Sequence, residues 1–119
     1  MTPTHTQEAA SALRAVGASR DGQTLFIGYE DRVEIWKSGA AQRTASWPVG
    51  SKESPPLSIQ ALGDGSAFFV TTTGGTGVVL KTDTGEAIMG PKEFGGAILA
   101  ASPDGRMIAE GETDKILLH

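Results

Sequence analysis

The chain has 119 residues, enough for one ordinary domain, with 39% hydrophobic and 20% charged residues and a net charge of −4. The negative balance argues against a broad nucleic-acid-binding surface. The absence of cysteine removes disulfides, thiolate nucleophiles and the usual zinc sites together, and 16 glycines among short apolar runs point to an all-β chain with tight turns.

In chain order, residues 1–11, "MTPTHTQEAAS", carry neither a basic n-region nor a long apolar run. They are read as a flexible segment and not as a secretory signal. No window approaches the ~18 apolar residues of a membrane span, so a cytoplasmic location is the default expectation. The stretch "QEAASALRAV" also fits one short helix, the alternative to a strand at that point. From there the apolar runs and turn residues predict strands over Arg14–Ser19, Thr24–Glu30, Val33–Lys37 and Gln42–Trp47. A second set is predicted over Leu57–Leu62, Ala67–Thr73, Gly77–Thr82 and Glu86–Gly90. A third is predicted over Gly96–Ala101, Met107–Glu112 and Lys115–Leu118.

These sets are repeats. Each contains an Asp-Gly, with Asp21, Asp64 and Asp104 separated by 43 and 40 residues. In each, a short run precedes the Asp-Gly, which supplies the φ > 0 residue of a tight hairpin. A period of roughly 40–45 residues with four strands per unit is the mark of a propeller blade. The repeats are bounded at about 12–50, 55–93 and 96–119. Their inner strands are nearly continuous apolar runs, as in sheets covered on both faces. The fourth strands, "RTASWP" and "EAIMGP", are more mixed, as outer edges should be.

Laid out this way, the chain resembles the WD-repeat β-propeller family. The likeness lies in "SRDGQTLFIGYEDRVEIWKSG" and "SPDGRMIAEGETDKILLH". The resemblance implies a structural hydrogen-bonded network with an Asp in the second turn and a Trp near the end of the third strand. Asp31 and Trp36 match those positions, Asp114 matches the Asp, and His119 stands where the Trp would be. In the central repeat Thr76 and Lys81 occupy the corresponding places, and no repeat shows the family's Gly-His.

The fold expected is therefore an open fragment of a β-propeller with four-stranded antiparallel blades. Closed propellers use roughly 4–8 blades, and eleven predicted strands make fewer than three. A longer protein, or several chains sharing one ring, is expected to complete it. Bare end faces and an unpaired last strand predict self-association or partner binding.

Candidate sites are few. "TTTGGTG", residues 71–77, is Gly-rich like a phosphate cradle, but it opens a strand and lacks a following helix, so it reads as a flexible turn. His5 and His119 are the only imidazoles and stand at opposite ends of the chain. No Ser occupies a Gly-x-Ser-x-Gly turn. No catalytic residue, metal ligand or cofactor is expected.

Glu30 and Asp31 share one turn, with Glu110, Glu112 and Asp114 in the equivalent turn of the third repeat. They predict an acidic loop face, partly offset by Arg32 and Lys115, that is read either as a solvated structural face or as a patch suited to a divalent cation or a basic partner peptide. Trp47 begins the longest connection, "WPVGSKESPPLS", and is either packed beside the fourth strand or an interface anchor. Trp36, inside an apolar strand, reads as structural packing. Glu30, Trp47, Glu110 and Glu112 are thus the candidate partner-binding residues, and Asp31, Trp36 and Asp114 the structural ones.

Two functions fit. One is a non-catalytic protein-interaction scaffold. The other is part of a propeller enzyme of the quinoprotein-like kind, binding substrate or cofactor in a channel that further blades would complete. Fold alone does not separate them.

Overall fold

The computed structural model describes residues 12–37, 39, 42–94, 98–111 and 114–119. Within them lie eleven β-strands. The first sheet holds β1 (Ala15–Ala18), β2 (Thr24–Gly28), β3 (Arg32–Lys37) and β4 (Gln42–Pro48). The second holds β5 (Pro56–Leu62), β6 (Ala67–Thr72), β7 (Thr76–Lys81) and β8 (Ala87–Glu93). The third holds β9 (Ile98–Ala101), β10 (Ile108–Gly111) and β11 (Ile116–Leu118). Each sheet is an antiparallel meander in chain order. The repeated sheets fit a β-propeller-like architecture. No helix among the described residues is long and apolar enough to cross a membrane. Where a short helix was the alternative, Ala15–Ala18 is a strand paired with Leu25–Gly28. Residues 1–11, including His5, lie outside the described residues.

The turns explain why the sequence makes hairpins here. Ser19 Oγ donates to Asp21 Oδ1 at 2.6 Å and accepts from the Thr24 N–H at 3.1 Å. Asp21 Oδ1 also accepts from the Gln23 N–H at 3.0 Å. The third unit repeats this with Ser102, Asp104, Arg106 and Met107 at 2.6, 3.1 and 3.1 Å. Gly22 and Gly105, at φ 74° and 72°, provide the left-handed step that a Cβ would disfavour. In the middle unit Leu62 stands where the serine would be, and it is buried in the core instead. Asp64 still accepts from the Ser66 N–H at 3.0 Å, and the Thr82 hydroxyl donates to the Gly65 C=O at 2.6 Å.

The second sheet is buried on both faces, as its unbroken apolar runs require. On one side Phe26, Val33 and Ile35 of the first sheet pack against Ile59, Phe68, Val70, Val78 and Leu80. The Phe26 and Phe68 rings lie 5.0 Å apart. On the other side Leu62, Phe69 and Val79 pack against Ile108, with Leu99 and Ala101 at the margin. Alternation along β6 therefore sends Phe68 and Phe69 to different interfaces.

Register corrects one sequence alignment. Leu25 is opposite Trp36, and Phe68 is opposite Leu80. Leu80, and not Lys81, therefore stands at the Trp36 position. The cause is the β6–β7 turn, which joins Thr71 to Gly77 and is one residue longer than the turn joining Gly28 to Val33. His119 exchanges backbone hydrogen bonds with Ile108 at 2.8 and 3.0 Å, so it does occupy the Trp36 position of the third unit.

Candidate functional site

The hairpin turns β2–β3, β6–β7 and β10–β11 connect equivalent strands. The first and second lie at one end beside the long loop at residues 49–55. That loop leaves the first sheet at β4, where the Val49 N–H donates to the Asp31 C=O at 3.1 Å. It is then tied to the second sheet by hydroxyls. Ser54 Oγ bonds Thr72 Oγ1 at 2.8 Å and accepts from the Gly74 N–H at 2.9 Å. The Thr76 N–H donates to Thr72 Oγ1 at 3.3 Å. The Gly-rich turn thus cradles a serine hydroxyl of its own chain.

Beneath the loop is a cleft of about 360 Å³. Its floor is Val49, Val78 and Leu80, and its rim is Pro48, Ser51, Ser54, Thr72, Thr76 and Pro91. No lining residue carries a titratable side chain. Such a surface offers apolar contact and hydroxyl hydrogen bonds, but no group for proton transfer. The loop's length was the only signal of this cleft in the sequence. Its floor was hidden because residues 49, 78 and 80 meet only when two sheets pack.

The residues expected to matter separate on folding. Asp31 is exposed and accepts from the Arg32 guanidinium at 3.2 Å. The Trp36 indole N–H donates instead to Glu34 Oε1 at 3.1 Å. Glu34 is a buried carboxylate, only 3% of its side chain being exposed, and its Oε2 accepts from Arg32 Nε at 3.2 Å and Arg43 Nη1 at 3.4 Å. The Arg32 guanidinium also lies 4.4 Å over the Tyr29 ring. The Trp-centred network therefore runs through Glu34, which sequence reading missed. The spacing Arg32, Glu34, Trp36 puts all three on one face of a strand, and that was the available signal.

Glu110 does not belong to an exposed acidic face. It lies on β10, facing the second sheet, and its Oε1 is 2.8 Å from His119 Nε2. Strand alternation turns it inward with Ile108, where a carboxylate needs a partner. The other ring nitrogen of His119 is 2.8 Å from Lys92 Nζ, and its ring meets Phe94 edge-on at 5.1 Å. His119 and Trp36 thus both pair with a buried glutamate, supplied in one unit from the adjacent strand and in the other from the same strand. Glu112 lies outside the described residues. Of the remaining acidic turn residues that are described, Glu30 is half-buried, and Asp31 and Asp114 are exposed.

Trp47 is half-buried and holds the first two sheets together. Its Nε1–H donates to the Thr82 C=O at 2.9 Å, and its ring lies over Gly85.

At the opposite end a more open cavity of about 590 Å³ lies among the Asp-Gly turns, between Lys37, Lys81, Asp64, Asp83 and Asp104. The Ser19 hydroxyl and the Gln23 N–H hold Asp21 below the ordinary aspartate range. The Ser66 hydroxyl and N–H do the same for Asp64, and the Ser102 hydroxyl and Arg106 N–H for Asp104. Among the described residues no group of three or more His, Asp or Glu side chains could hold a metal ion.

Comparison with known proteins gives likeness of fold. No family model matches the chain, and no curated protein matches it. Among solved structures, hydrazine synthase of Kuenenia stuttgartiensis superposes with a TM-score of 0.63 at 19% identity. That match covers 89% of this chain but 33% of the synthase chain. The computationally designed Ika4 protein superposes with a TM-score of 0.70 at 19% identity, over 96% of this chain and 69% of the designed one.

Proposed function

We propose that the chain is a non-catalytic protein-interaction scaffold, built as an open stretch of a WD-repeat-like β-propeller. The observation that carries this reading is the cleft under the 49–55 loop, which has an apolar floor, a hydroxyl rim and no titratable lining group. It suits an extended peptide segment bearing small apolar side chains. Asp31, whose C=O accepts from the Val49 N–H at its edge, has an exposed carboxylate that favours a basic residue next to the apolar ones. The acidic composition agrees with a protein partner and not a nucleic acid.

The test is a selection of peptides from a random display library on the whole chain, followed by NMR mapping of the best binder. Shifts should centre on Val49, Ser51, Thr72 and Thr76, and Thr76→Arg should abolish binding without changing the melting temperature. Shifts confined to the cavity at Lys37, Asp64 and Lys81, or full binding by Thr76→Arg, would overturn the reading.

A further inference from the structure

The two sheet-to-sheet interfaces inside the chain follow one rule. Phe26 and Ile35 of the first sheet cover Phe68 and Leu80 of the second. Phe69 and Val79, at the same register positions of the second sheet, cover Ile108 of the third. Ile108 in turn stands where Phe68 stands. Each sheet therefore lays one kind of face on the other kind of face of the next.

Among the described residues, two faces have no neighbouring sheet. On the third sheet Ala109, Ile116 and Leu118 occupy the positions of Phe26, Val33 and Ile35. Ile116 is 72% exposed and Leu118 66%, with Met107 beside them at 49%. On the first sheet Leu25, Ile27 and Trp36 occupy the positions of Phe68, Val70 and Leu80. The faces left over are thus the two halves of the interface that the chain already forms twice. The first-sheet face is also ready to be covered. Glu34 has both oxygens satisfied by Trp36, Arg32 and Arg43 of its own sheet, so an apolar neighbour would leave no carboxylate unpaired.

We propose that a second copy of this chain docks its third sheet on the first sheet of its partner, and the partner does the same in return. This rests on the open-propeller reading above. The contact is head-to-tail, so it continues until a ring closes. Two copies of the three sheets formed by the described residues make six, within the roughly 4–8 blades of closed propellers, whereas three copies make nine. The assembly is therefore a twofold dimer.

Sedimentation velocity of the whole chain tests this. Wild type should sediment as a species of twice the 12.3 kDa chain mass. Val16→Lys alters an exposed position on the first-sheet face, and Leu118→Lys alters one on the third-sheet face. Each variant alone should be monomeric, with circular dichroism unchanged. An equimolar mixture should recover a one-to-one complex, because one undamaged pair of faces remains between the two variants. A monomeric wild type, a species larger than a dimer, or a Val16→Lys variant that stays dimeric through a self-paired third sheet would each overturn the proposal. Peptide binding to a monomeric variant would show that the cleft works without the ring, so the two readings fail separately.

Discussion

Phe68 and Phe69 are neighbours in sequence and belong to different interfaces, so truncating each should loosen a different part of the molecule. Phe68 is fully buried and its ring stacks on Phe26, while Phe69 is 2% exposed and packs toward Ile108. Removing a buried phenylalanine side chain costs about 3–5 kcal/mol, a lost transfer term plus the cavity left behind. Phe68→Ala belongs at the upper end, because its neighbours Val33, Ile35, Val70 and Leu80 sit on two paired sheets and cannot collapse into the space. It also loses the aromatic pair, worth about 0.5–1.5 kcal/mol beyond area. Phe69→Ala belongs at the lower end, because the third sheet has three strands and fewer constraints on moving inward. Against a domain stability of about 5–15 kcal/mol, both are large changes.

Urea unfolding gives the magnitudes, and hydrogen exchange followed by mass spectrometry gives the location. Phe68→Ala should deprotect β1–β4 relative to β9–β11, and Phe69→Ala should do the reverse. If the two variants lose protection in the same strands, or Phe68→Ala costs less than about 1 kcal/mol, the assignment of the two rings to separate interfaces is wrong.

Three further outcomes are expected. Asp21, Asp64 and Asp104 are all held below the ordinary aspartate range, so their hydrogen bonds contribute stability above the unfolded-state pKa, and that contribution is lost as pH falls through the folded-state values. Asp21→Asn combined with Asp104→Asn should flatten the acid limb of melting temperature against pH, and an unchanged limb would assign acid sensitivity to other groups. Glu34→Gln keeps an acceptor for the Trp36 indole but removes the charge facing Arg32 and Arg43, both partly exposed, so a loss of about 1 kcal/mol in urea is expected; a loss beyond about 3 kcal/mol would show a fully desolvated charge. A Cβ on Gly85 would lie 2.5 Å from the Trp47 ring at a φ of +73°, so Gly85→Ala should lower the melting temperature and red-shift Trp47 emission, and a neutral result would show that the ring is free to move.

Much of the fold was legible because it is local. The Asp-Gly turns at residues 21, 64 and 104 and the apolar runs between them marked strands that the structure places within a few residues of expectation. The serine–aspartate turn is built within six residues, Ser19 to Thr24, and needs nothing from elsewhere in the chain. A period-two pattern, however, states only that neighbours point opposite ways, and not which way is in. In β6 both faces are apolar, so the sequence was silent on which phenylalanine meets which sheet. The same ambiguity hid Glu110. A glutamate beside a turn reads as surface until the pairing of β10 with β11 brings His119 alongside it. Trp36 was identified from its own strand, but its acceptor Glu34 was missed, because alternation places residues 34 and 36 on one face without saying that the indole turns back to the carboxylate. The cleft beneath residues 49–55 depended most on tertiary structure, since Val49, Val78 and Leu80 form one floor only after two sheets have stacked. Local turn chemistry and alternation were thus fixed by sequence alone. Face, partner and cavity were decided by packing, because they depend on residues far apart in the chain that meet only in the folded state.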